Sequence, residues 1–170
     1  MGQNIATWIA DTFGGDFGKI LAVFLIALLP IVELRGAIIV AAVLGVPWPA
    51  AFAAGVLGNL LPMPFLLWFL DAIFNFMKKH NILKKLVIKL EEKAEKRKES
   101  VTRTAFWGLT FFVGVPLPGT GGWTGALIAS VIKMPRKKSL ASVTIGVLIA
   151  GIIVTVLVYG FKVAIKGITA

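Results

Sequence analysis

The apolar segment from Thr104 to Ile132 is interrupted in its middle by Pro116-Leu117-Pro118-Gly119-Thr120-Gly121-Gly122-Trp123-Thr124-Gly125. Two prolines and four glycines in ten residues cannot sit inside a helix. Proline removes a backbone donor and clashes with the preceding turn, and glycine costs backbone entropy. The segment is long enough to cross a membrane, yet its backbone must break at membrane depth. Irregular backbone is tolerated there only when it is buried in protein or lines a watery cavity.

Composition supports the membrane setting. Of 170 residues, 58% are hydrophobic, and mean hydropathy is +0.89. The apolar runs are too long and uniform for the alternating strands of an outer-membrane barrel, so the fold class is all-α, integral and polytopic. The chain has no cysteine, which excludes disulfides, thiolate metal sites and a cysteine nucleophile. One histidine, His80, lies in a basic stretch without a second imidazole nearby. No metal or cofactor is expected. The net charge of +10 would suggest nucleic acid in a soluble protein. Here ten of the eighteen basic residues fall between Lys78 and Arg103, and four more are Lys133, Arg136, Lys137 and Lys138. Basic residues beside apolar segments mark the cytoplasmic side, and anionic lipid headgroups are their natural partners. No aromatic residues interleave with these charges, so a nucleic-acid partner is not expected.

In chain order, residues 1–18 carry an interfacial helix, with Ile5, Trp8, Ile9 and Phe13 at helical spacing. Residues 19–77 form a first repeat. Lys19 to Leu29 and Ala37 to Val46 are apolar but too short to span, with Pro30 and Glu33-Leu34-Arg35-Gly36 between them. Pro47-Trp48-Pro49 closes this pair, which reads as a re-entrant hairpin. Ala50 to Met77 is then a span, with a small-residue stripe at Ala50, Ala54 and Gly58 and a kink at Pro62 and Pro64. Residues 78–103 form a cytoplasmic connector holding an amphipathic helix from Ile82 to Glu99. Residues 104–168 form a second repeat: half-helices from Thr104 to Val115 and Gly122 to Met134, then a span from Leu140 to Phe161. Both ends of the second hairpin are basic, so it enters and returns on the cytoplasmic side.

The two repeats align at a constant offset of 88 residues. Nine of the 37 positions from Phe24 to Leu60 match their counterparts, including Pro30 with Pro118, Pro47 with Pro135 and Gly58 with Gly146. A proline marks each break and closes each hairpin, seventeen residues apart in both repeats. Each repeat crosses the membrane once, so the second is predicted to be inverted relative to the first. Inverted repeats with broken helices are a common architecture of secondary transporters. The predicted topology puts both termini outside, with Lys19, Lys162 and Lys166 on the less favourable side.

Glu33, Arg35 and Asp71 are the charged residues well inside apolar segments. Intramembrane ionisable groups are costly and point to function. Glu33, partly desolvated, is a candidate proton carrier, and Arg35 offers a fork suited to phosphate or carboxylate. The structural alternative is that the two neutralise each other or cap the following half-helix. Asp71 and Asn59 are secondary candidates. In the second hairpin, Pro118, Gly119, Thr120, Gly121, Gly122, Trp123 and Thr124 form the candidate substrate-lining loop, whose helix-opening N–H groups suit an anion. The glycine spacing fits neither the dinucleotide fingerprint nor a P-loop. No nucleophile triad is available, so no catalytic residues are assigned and the chain is not expected to be an enzyme.

Glu-Leu-Arg-Gly-Ala-Ile at 33–38, together with Pro-Leu-Pro-Gly-Thr-Gly-Gly-Trp-Thr-Gly at 116–125, resembles the small multidrug export proteins. That family is similar to the DedA superfamily of membrane proteins with paired re-entrant loops. The resemblance covers essentially the whole chain. It implies paired inverted hairpins, a prokaryotic cytoplasmic-membrane location and a transporter or lipid-translocating role. In DedA proteins acidic and arginine residues of the re-entrant regions are implicated in proton-coupled transport, and Glu33 and Arg35 match in kind. The chain departs from the DedA pattern in having no arginine between Arg103 and Arg136.

The resulting expectation is a single membrane domain spanning residues 1–170. It would be a small transporter coupling protons to translocation or flipping of an amphiphilic, anionic, lipid-like substrate held between the hairpin tips. Export of cationic compounds is the alternative. A non-transporting scaffold using the Ile82–Glu99 helix is the reading from another class. A chain this small is expected to work as a homodimer.

Overall fold

The computed structural model describes residues 14–79 and 98–168. The expected interfacial helix at 4–13, most of the 78–103 connector and His80 lie outside these residues. Among the described residues all regular structure is helical. The elements are α1 (Gly15–Leu28), α2 (Glu33–Val43), α3 (Trp48–Leu60), α4 (Met63–Lys79), α5 (Lys98–Gly114), α6 (Gly122–Val131) and α7 (Arg136–Ile168). The stretches Trp48–Leu70 and Arg136–Ala164 are long and apolar enough to cross a membrane, matching the two expected spans. At 1.5 Å per residue, α1 and α2 reach only about 21 Å and about 16 Å, short of a hydrocarbon core of about 30 Å. The expected kink at Pro62 and Pro64 falls at the junction of α3 and α4 within the stretch Trp48–Leu70. α3 stops at Leu60 and α4 begins at Met63. Neither proline has an N–H to return to the preceding turn.

The described chain gathers into two compact units, one of residues up to Leu61 with Val147 onward, the other from Pro62 to Gly146. In the first, α1, α2 and α3 pack mutually through small side chains: Ala22 and Ala27 of α1, Ala37 and Ala41 of α2, Ala51 and Ala54 of α3. Such residues let backbones approach closely where lipid gives no hydrophobic drive for association. Gly58 marks the tightest approach, since a Cβ there would overlap the Phe24 carbonyl oxygen. Leu34 of α2 fills the space left by two glycines. A Cβ on Gly55 would lie 2.8 Å from one of its methyls, and a Cβ on Gly151 would lie 3.2 Å from the other. The expected stripe at Ala50, Ala54 and Gly58 is therefore wider than predicted. Ala51 and Gly55 are buried as well, because α3 faces α1 and α2 together.

In the second unit α6 packs on α4 and α5. Val113 of α5 meets Gly146, whose Cβ would sit 2.6 Å from that of Val113. Here hydroxyls serve as glue. Thr110 Oγ1 lies 3.0 Å from Ser142 Oγ, and both hydroxyls reach the Phe106 carbonyl, at 2.9 and 2.8 Å.

Two helix ends 88 residues apart are built alike. α2 ends with Gly45 N–H donating to Ala42 O (3.3 Å) and Val46 N–H to Ala41 O (2.9 Å). α6 ends with Lys133 N–H donating to Ser130 O (3.1 Å) and Met134 N–H to Ala129 O (2.9 Å). This paired bonding is the Schellman helix end, which needs a left-handed residue after the cap. Gly45 (φ 74°) and Lys133 (φ 55°) are those residues. Pro47 and Pro135 follow, and their carbonyls accept from Ala51 (3.0 Å) and Ser139 (2.9 Å) to start the next helix. Two sequences that share few side chains thus make the same turn.

Candidate functional site

Glu33 opens α2 and is 6% exposed. Residues two apart on a regular helix do not face each other. Glu33 and Arg35 meet because Glu33 takes a left-handed backbone, φ 51°, ahead of the regular turns. Arg35 Nη1 then lies 3.4 Å from Glu33 Oε2. Charge-assisted hydrogen bonds of this type usually run to about 2.7–2.9 Å, so this contact is long. Arg35 is itself largely buried, with a side chain 17% exposed. The pair lies at the break between α1 and α2. The backbone strain at Glu33 is of a kind that clusters at functional positions.

The second break covers residues 115–121, and α6 begins at Gly122, where the second half-helix is expected to start. Of the candidate loop residues, Gly122, Trp123 and Thr124 therefore form the first turn of that helix, and Gly125 is buried against Val113. The remaining loop binds itself. Thr120 Oγ1 lies 2.7 Å from Val115 O and 2.9 Å from Leu117 O, while Leu117 N–H donates to Val115 O (2.8 Å). Pro118 and Gly119 are exposed, and Gly119 has φ 81°. Gly121 and Gly122 are buried, with Gly121 as the N-cap and no side-chain cap present. The first N–H groups of α6 thus face the break, as anion binding would require. The structure places Glu33 and Arg35 in the first unit and this loop in the second.

Of the secondary candidates, Asn59 is buried, at 1% exposure, and its Nδ2 reaches Ala27 O in the last turn of α1 at 3.5 Å. Asp71 lies on α4, with its side chain outside the described ones. Two residues outside the candidate site make long-range bonds. Tyr159 donates to Val46 O (2.7 Å) and Lys162 donates to Ala42 O (2.7 Å). They fasten the far end of α7 onto the turn between α2 and α3. A lysine two turns from the end of a hydrophobic helix carries no sequence signal that it will meet carbonyls 120 residues away. Among the described residues no group of three His, Cys, Asp or Glu side chains could hold a metal ion.

Residues 33–153 match the family described as "putative small multi-drug export protein". No curated protein matches the chain, and no solved structure does.

Proposed function

The chain belongs to the small multi-drug export family, and on that premise we propose that it is a proton-coupled transporter of amphiphilic, anionic, lipid-like compounds. The carrying observation is the acid–base pair buried in a break between two half-length apolar helices, with Glu33 held in a left-handed conformation. In this reading Glu33 takes and releases the coupling proton. Arg35, beside it, offers a fork suited to an anionic headgroup. The hairpins act as inverted re-entrant pairs in the prokaryotic inner membrane, with the basic segments cytoplasmic and lipids as neighbours. The working form is a homodimer.

Reconstituted protein carrying Glu33→Gln tests this reading. Flux of an anionic amphiphile driven by a pH gradient should lose its dependence on that gradient, and unchanged dependence would sink the coupling role. The second reading, export of cationic compounds, is favoured by the buried carboxylate. There Glu33 binds the cation and Arg35 is structural. Arg35→Ala separates the two, since it should spare export only in the cationic case.

A further inference from the structure

Asn59 lies twelfth in the 23-residue stretch Trp48–Leu70, and so at its centre. Its side chain is almost wholly enclosed, and its Oδ1 accepts no hydrogen bond among the described residues. A buried amide oxygen at that depth is expensive to keep, because no lipid group can donate to it. The position does not demand a polar side chain. Its counterpart 88 residues on is Val147, equally buried.

A carbonyl of the last turn of α1 lies beside Asn59. Its Nδ2 reaches the Ala27 carbonyl in the last turn of α1, at the long distance of 3.5 Å. α1 stops two residues ahead of Pro30, which has no N–H to return to the preceding turn. The negative end of the α1 dipole therefore opens onto the break. Leu34, one residue past Glu33, packs on Gly55, one helical turn before Asn59. This places Asn59 alongside the break itself. Carbonyl ends of broken helices and amide oxygens are the ligands that hard cations take in membrane transporters.

We propose that Asn59 Oδ1 and the carbonyl end of α1 bind a small monovalent cation at the break of the first hairpin. Sodium and hydronium share the required chemistry. The site does not depend on what the protein exports, and its test needs no transport. Thermal unfolding of the full chain in detergent would be followed in sodium, lithium, potassium and choline chlorides at constant ionic strength, at two pH values. Sodium at ten times its dissociation constant should raise the Tm over choline by roughly 3–6 °C. Asn59→Leu should abolish the shift. If Asn59→Leu does not fold, Asn59→Asp carries the test. It should lower the half-saturating sodium concentration about tenfold by adding charge to the same position. A Tm that responds to pH and not to sodium assigns the site to hydronium, provided Asn59→Leu removes that response. A Tm indifferent to cation and pH overturns the proposal. So does a shift that survives unchanged in both variants.

Discussion

At residue scale, two side chains occupy backbone conformations that glycine usually takes. Among the described residues Glu33 and Lys133 are the non-glycine residues with positive φ. Lys133 does in the second hairpin what Gly45 does in the first, so its strain serves a turn that glycine would make without cost. Lys133→Gly is expected to stabilise the protein by about 1 kcal/mol, and Gly45→Ala to destabilise it by a similar amount. Chemical or thermal unfolding in detergent would measure both. Glu33 differs, because at the matched position Gly121 has φ −80° and needs no special freedom. The first hairpin thus carries its strain at the ionisable residue. The pairing of Glu33 with Arg35 was legible from their isolation in apolar sequence. The left-handed turn that makes an i,i+2 pair possible was not, since glutamate gives no sign of it. Asn59 was legible only as a polar residue in an apolar run. Its orphan oxygen depends on where α1 ends.

At element scale, the packing rests on glycines that admit a neighbouring backbone. Gly58 and Gly146 are counterparts in the repeat, and each lies against the first helix of its own unit's hairpin. Gly58→Ala and Gly146→Ala are each expected to cost about 1–3 kcal/mol, from overpacking that the adjacent carbonyls cannot relieve. The two effects should add when combined, since they fall in separate units. Unfolding midpoints of the single and double variants would show this. Tyr159→Phe should cost about 1 kcal/mol through the loss of its bond to Val46 O. Half-length helices, breaks and closing prolines were all readable, because proline and glycine act locally. The width of the buried face on α3 was not, since one helix touching two neighbours buries more than a single stripe. The start of α6 at Gly122 was readable too, and its Gly125 serves close packing on Val113.

At the scale of the whole molecule, the compact units do not coincide with the sequence repeats. Each unit takes a hairpin and the first half of the following helix from one repeat, and the second half of a helix from the other. Residues 62–79 complete the unit of the second hairpin, and residues 147–168 complete that of the first. Separately expressed segments 1–97 and 98–170 should therefore each be unstable, and co-expression should restore a folded complex. Protease resistance and co-purification would read the outcome. Sequence alignment finds a repeat by matching residues along the chain. It cannot show which partner each half-helix chooses, because both choices present the same apolar surface.

That exchange has a consequence for the history of the fold. A gene encoding a single repeat would specify a polypeptide that cannot finish its own core. Two copies of such a polypeptide could complete each other by exchanging their terminal half-helices. Duplication and fusion would then have turned an intermolecular loan into an intramolecular one. Freed from serving both roles, each copy could diverge, one retaining an acid, an arginine and an asparagine where the other kept glycine, tryptophan and valine.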